Sequence, residues 1–202
     1  MKKMSVMLPV IMALVMAAAM PVHAKEDKIQ TGIYVNDMNL SGMTIEEARQ
    51  TVQSYVDSFG GSQITLHAVE EGTIVTTASE LGLKWGNEEI LQEAARFGRD
   101  GDILQCYKEL KDLEYQNQVY EVAFDFDKDK IRTLIEENGA QYNQEAVNAS
   151  LIKTETGFQV VEGQPGILID TAVSADAVYD YLLNEWNGGA CDIDLAVTVD
   201  EP

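Results

Sequence analysis

The chain has 202 residues, with 14 Lys and Arg against 34 Asp and Glu, a net charge of −20. That length holds one ordinary domain or two small ones. So acidic a surface excludes nucleic acid, whose phosphates need a basic face, and it opposes simple adhesion to anionic lipids or anionic wall polymers.

Residues 1–24 read as a secretory signal peptide: Lys2 and Lys3, an apolar run over 4–20, and the small residues Val22 and Ala24 ahead of a cut. An uncleaved anchor is the competing reading. The apolar run is a little short of the ~20 residues a span needs, and Pro21 favours cleavage. No Cys at the cut indicates lipid attachment, and no later run is long enough to span a bilayer. Export would let Cys106 and Cys191 oxidise into one bridge; two free thiols are the alternative.

Next comes "GIYVNDMNLSGMTIEEAR", residues 32–49: a short strand, a Gly turn and a helix start. Thr44 with Glu47 three residues later is a capping box. Ile45, Ala48, Val52, Tyr55, Val56 and Phe59 then recur at helical spacing, and Gly60-Gly61 ends the helix. The apolar face needs a sheet to cover. "QITLHAV" alternates as a strand, "EEG" turns, and "TIVTTASELGLKW" continues as strand. Asn87 caps a second helix with Ile90, Leu91, Ala94 and Ala95 on its apolar side, and "FGRDGD" breaks the pattern.

The second half repeats the plan. "VYEVAFDFD" is a strand, and "KDKIRTLIEEN" a helix with Ile131, Leu134 and Ile135 on one side. "ASLIKT" and "FQVVEG" are strands around an "ETG" turn, and "ILID" is a strand after the "QPG" break. A helix follows to about Trp186, with Tyr181, Leu182 and Trp186 on one side, and "CDIDLAVTV" closes the chain as one strand. Gly72 and Gly82 in the first half stand in register with Gly157 and Gly166 in the second. The expected fold is α+β: two similar β-α-β-β-α units, 25–113 and 114–202, with helices packed on antiparallel-rich sheets, read as an old duplication.

Catalytic residue types are scarce. His23 lies in the signal, leaving His67 on an alternating strand, and His67 with Cys106 has no flanking signature of a nucleophilic pair. No nucleophile elbow, zinc motif or phosphate loop occurs, and paired carboxylates carry no information in so acidic a chain. Asp125, Asp127, Asp129 and Glu136 fall at positions one, three, five and twelve of a calcium-binding loop. Lys130 occupies the sixth position, where the turn needs Gly, so the favoured reading is a strand end and a helix N-terminus. No cofactor is expected. Aromatic residues could stack on sugar rings: Trp85, Tyr107, Tyr115, Tyr142 and Trp186, with Trp186 assigned to a core stripe. The better surface candidates for ligand binding are Trp85 beside Asn87 and Tyr142 beside Asn143.

The segments "GIYVNDMNLSGMTIEEA", "ASELGLKW", "AARFGRDGDIL" and "GFQVVEGQPGILID", in that order and spacing, resemble the peptidoglycan-binding domain of bacterial cell-wall proteins. That module occurs upstream of L,D-transpeptidase and VanW-like domains. The resemblance covers nearly all of the chain after the signal. It implies an α+β fold, an extracytoplasmic, wall-associated location and peptidoglycan as the partner; it carries no settled set of binding residues. The relatives usually continue into a further domain, whereas this sequence stops at Pro202. It lacks the Ser-His-Gly-x-Cys signature of an L,D-transpeptidase, so transferase chemistry is not expected of it. A secreted, non-catalytic wall module is the leading expectation. A scaffold that positions a wall enzyme is the alternative, and an acidic wall hydrolase is a third reading.

Overall fold

The computed structural model describes residues 28–69, 71–155 and 157–201. The expected signal peptide lies outside the described residues. The described residues form an α+β fold of five α-helices and several small sheets.

Strands β1 (Ile33–Val35) and β2 (Met38–Asn39) form a short hairpin ahead of α1 (Ile45–Ser58). The capping box is present in full. The Glu47 N–H donates to Thr44 Oγ1 at 3.2 Å, and the Thr44 N–H donates to Glu47 Oε2 at 2.8 Å. This reciprocal pair satisfies two of the donors that a helix start leaves unpaired. Ala48, Val52 and Val56 are buried on the predicted face.

Beyond α1 come β3 (Gln63–His67), β4 (Thr73–Thr77) and β5 (Lys84–Trp85). The single long strand expected over "TIVTTASELGLKW" is therefore broken. A turn occupies residues 78–83, where Gly82 has φ +78°. A Cβ at Gly82 would lie 2.7 Å from the Asp127 Cβ, so this crossing of two backbones admits only glycine.

Helix α2 (Ile90–Arg96) buries Ile90, Leu91, Ala94 and Ala95 as the spacing predicts. Its cap position is Glu89, without a side-chain bond. Asn87 is not the cap, because its side chain is committed to Trp85, Glu121 and Ala123. Helix α3 (Ile103–Asp112) was not expected. Its cap is Asp102, whose carboxylate accepts from the N–H groups of Leu104 and Gln105.

The second half opens with β6 (Gln118–Tyr120) and β7 (Phe124–Asp125), two short strands where one was expected. Helix α4 (Lys128–Gly139) follows and runs into a 3-10 turn at Ala140–Tyr142. Then come β8 (Ser150–Thr154), β9 (Gly157–Val161), β10 (Gly166–Ile169) and α5 (Thr171–Asn184). The final "CDIDLAVTV" is two strands, β11 (Cys191–Asp194) and β12 (Val197–Asp200), in different sheets. The break is made from a distance. Ser174 of α5, fully buried, donates to the Ala196 carbonyl and accepts its N–H, replacing ladder bonds at that residue.

Pairing joins the two halves. β1 runs parallel to β6, and β11 runs parallel to β3 beside the β3–β4 hairpin. β5 pairs with β7, and β10 with β12. One core lies under α1 and α2 and includes Ile33, Val35, Leu40 and Trp85. The other lies between β3–β4 and helices α4 and α5, with Ile64, Leu66, Ile131, Ile135, Val178 and Leu182. Leu83 and Phe124 touch both. Phe124, Phe126 and Phe59 surround Trp186 at ring separations of 5.1, 5.3 and 6.3 Å, the edge-on and tilted geometry favoured by aromatic rings.

Candidate functional site

The four ligand candidates fall in two places, and the fold uses them differently. Trp85 is only 5% exposed, so its ring has no free face for a sugar. Its Nε1–H donates to Asn87 Oδ1 at 2.9 Å. The same oxygen accepts the Ala123 N–H, and Asn87 Nδ2 donates to the Glu121 carbonyl. Asn87 thus fastens the buried indole to the link between β6 and β7. Trp85 is part of the core, and half-buried Asn87 holds it there.

Tyr142 and Asn143 lie at a surface hollow of about 430 Å³. Its lining comes from the turn between β3 and β4 (Val69, Glu71, Gly72, Thr73) and from the stretch after α4 (Gln141, Tyr142, Asn143, Gln144). The Tyr142 ring lies so close over Gly72 that a Cβ there would sit 2.5 Å from a ring carbon. Glycine is required by this approach. The Tyr142 hydroxyl donates to the Thr73 carbonyl at 3.0 Å, locking the ring against the hairpin. Asn143 Oδ1 accepts the Ile169 N–H at 2.8 Å, and the Gln144 backbone exchanges bonds with Ile167.

Several groups at the hollow remain uncommitted among the described residues: the Glu71 carboxylate, the Gln144 side-chain amide and Asn143 Nδ2. Glu71 is held at φ +62°, uncommon for a residue other than glycine. A locked aromatic ring beside free amides and one carboxylate suits a ligand rich in hydroxyls, amides and amines.

Two further aromatic candidates, Tyr107 and Tyr115, are exposed. Tyr115 is 86% exposed and, with Phe97, Asp112 and Asn117, borders a second hollow of about 410 Å³. Tyr107 shares the solvent-facing surface of α3 with Ile103 and Leu104. What the sequence reading missed is helix α3 itself, signalled by Asp102, a cap residue ahead of apolar residues at helical spacing. Trp186 is buried, as its core assignment requires.

The calcium-loop positions are otherwise engaged. Asp127 caps α4, accepting from the N–H groups of Asp129 and Lys130. Asp125 pairs with Lys84 Nζ at 3.0 Å and accepts the Tyr179 hydroxyl at 3.1 Å. Partial burial pushes the Asp125 carboxyl up, but bonds from Lys84, the Phe126 N–H and Tyr179 outweigh it and hold it below its ordinary value. Glu136 lies on α4, outside any loop. Among the described residues no group of three or more His, Cys, Asp or Glu is placed to hold a metal. His67 Nε2 lies 3.2 Å from Asp192 Oδ1, so its partner is an exposed carboxylate and not Cys106. Cys106 on α3 and Cys191 on β11 are both free thiols rather than a bridge.

The body is an α+β fold that sets one locked aromatic ring among amides at a surface hollow. The family model described as "putative peptidoglycan binding domain" matches residues 74–201, well over half of the chain, and the chain belongs to that family. No curated protein sequence matches it. A solved structure described as the Ldtfm-avibactam carbamoyl enzyme aligns over 75% of this chain at 15% identity with a TM-score of 0.38. The chain spans 46% of that structure's length, and so distant a likeness carries no argument.

Proposed function

We propose that this chain is an extracytoplasmic, non-catalytic module that binds peptidoglycan at the Tyr142 hollow and serves a wall enzyme of the L,D-transpeptidase or VanW-like kind. The observation that carries the reading is the pairing of family membership with a hollow of fitting chemistry. The half-buried Tyr142 ring supplies an apolar surface for a sugar or peptide. The Asn143 and Gln144 amides meet N-acetyl and peptide groups, and Glu71 meets the free amines of stem peptides. With a net charge of −20 the body repels anionic wall polymers, so affinity comes from these short-range contacts rather than from long-range attraction.

Co-sedimentation with purified, teichoic-acid-free peptidoglycan tests it. The wild-type chain pellets with the wall material, and Y142A and E71Q each reduce the bound fraction while leaving the far-UV circular dichroism unchanged. No sedimentation above a control protein at low and moderate salt refutes the reading.

The apolar surface of α3 favours a second reading, a scaffold that holds a partner protein. Ile103 is 91% exposed, and Leu104 and Tyr107 stand beside it with no cover among the described residues. Cross-linking in intact cells separates the two: recovery of protein partners without muropeptides supports the scaffold.

A further inference from the structure

The stretches Tyr115-Gln116-Asn117-Gln118 and Gln141-Tyr142-Asn143-Gln144 have the same composition. No other tyrosine of the chain shares a four-residue stretch with an Asn and two Gln. The fold uses the two alike. Each follows the end of a helix, α3 for the first and α4 with its 3-10 turn for the second. Each leads into strand pairing, at β6 and at the bridge between Gln144 and Ile167. Each lines a surface hollow, of about 410 Å³ at Tyr115 and about 430 Å³ at Tyr142, and each hollow adds one carboxylate, Asp112 or Glu71. The hollows share no lining residue and stand on different cores. Phe97 and Leu113 of the first pack on the core under α1 and α2, and Tyr142 packs on the other.

At the Tyr115 hollow the backbone is fixed and the side chains are free. The Asp112 carbonyl accepts the N–H groups of Tyr115 and Gln116 at 3.0 and 2.9 Å, and the Gln118 N–H donates to the Gly32 carbonyl at 2.9 Å. Half-buried Phe97 and Leu113 supply an apolar wall. Among the described residues, the Asp112 carboxylate and the side-chain amides of Gln116, Asn117 and Gln118 have no hydrogen-bond or ion-pair partner. Tyr115 is 86% exposed, which leaves its ring open to a ligand. A side-chain amide both donates and accepts, so three of them beside a ring match hydroxyl, N-acetyl and peptide groups, and the carboxylate matches an amine. No Lys or Arg lines the hollow, so its charge disfavours a phosphate or another anion.

We propose that the Tyr115 hollow is a second subsite for the ligand class assigned above to the Tyr142 hollow, a sugar–peptide repeat rich in hydroxyl, N-acetyl and amide groups. The proposal rests on that assignment. Two subsites on one body hold a repeating polymer at two points. The second contact then forms at a raised effective concentration, and the polymer is bound more tightly than a single repeat.

Heteronuclear NMR of the isotope-labelled chain, titrated with a soluble disaccharide–peptide muropeptide, tests this. The expected result is a shift of the side-chain amide signals of Gln116, Asn117 and Gln118 as well as those of Asn143 and Gln144. Y115A abolishes the shifts at 116–118 and keeps those at 143–144, and Y142A does the reverse. On insoluble peptidoglycan, Y115A lowers the apparent affinity about 100-fold, the lower end of the gain that a second linked contact gives. Its far-UV circular dichroism stays that of wild type, because the side chain is exposed. Shifts confined to the Tyr142 hollow, or a Y115A chain that binds the polymer like wild type, overturn this proposal and leave the proposed function in place. Shifts confined to the Tyr115 hollow support this subsite and refute the Tyr142 assignment. Shifts at neither hollow overturn both.

Discussion

Replacing Gly82 by alanine isolates the contact that ties the first half of the chain to α4. Gly82 has φ +78°, and a Cβ there would lie 2.7 Å from the Asp127 Cβ and 3.3 Å from Lys130 Cδ. Two costs add. An L-residue in the left-handed region costs about 1–2 kcal/mol. The clash is with a Cβ fixed to backbone, so Asp127 cannot swing aside; it must move with its chain, away from the Asp127 N–H to Leu81 carbonyl bond and from its capping position. Losing a cap costs about 1 kcal/mol. G82A should therefore lose about 2–3 kcal/mol of unfolding free energy. Gly42 is the control: it has φ +75° with nothing within 4 Å of its virtual Cβ, so G42A pays only the backbone part. Urea unfolding followed by tryptophan fluorescence measures both. If G82A and G42A are equally destabilised, the Gly82–Asp127 contact is not the constraint argued here.

Three further outcomes are expected. N87A strands the buried Trp85 N–H along with Ala123 N–H and Glu121 carbonyl, which should cost about 1–3 kcal/mol and shift tryptophan emission to the red; an unchanged urea midpoint counts against the Asn87 hub. Glu80 is held below its ordinary value by the Thr76 hydroxyl and the Thr77 N–H. A depressed carboxyl contributes stability that is complete above its unfolded pKa and is lost as pH falls through the folded one. The Tm gap between wild type and E80Q should hold constant from pH 7 to ~5 and close below ~4; a gap that persists in acid refutes it. Burial, with the Asp192 charge adding to it, pushes the Cys191 thiol up. Non-reduced C106S should therefore react with Ellman's reagent more slowly when native than in urea, and equal rates would refute the burial.

What could be read from the sequence was local chemistry. The Thr44–Glu47 box specifies its helix within three residues, and the apolar spacing of α2 and α4 matches the buried faces observed. The Tyr142 hollow was half legible, because Tyr142 and Asn143 stand in an irregular segment, but Glu71 and Gly72 reach it from 69 or more positions away. Trp85 looked like a surface residue beside a polar neighbour, until Asn87 proved to bond the indole and the 121–123 link together. Alternation of Ile193 and Leu195 continues smoothly into the last strand, and it is Ser174 and the Asp170 N–H, distant in the chain, that take the Ala196 backbone groups out of the ladder. Helix α3 escaped because none of its residues is buried, so its apolar residues mark no core face.

The parallel pairing of β11 with β3 joins Cys191 to Ile64 and Asp194 to His67. Such a sheet cannot close while its last partner is still inside the ribosome. Arrival of the C-terminal strands, rather than of any helix, sets the moment at which the larger core can form, and long-range pairing of this kind is slow. A chain cut short before residue 191 would keep α1 and its capping box, yet it would carry β3 as an open strand edge, ready to stick to its neighbours.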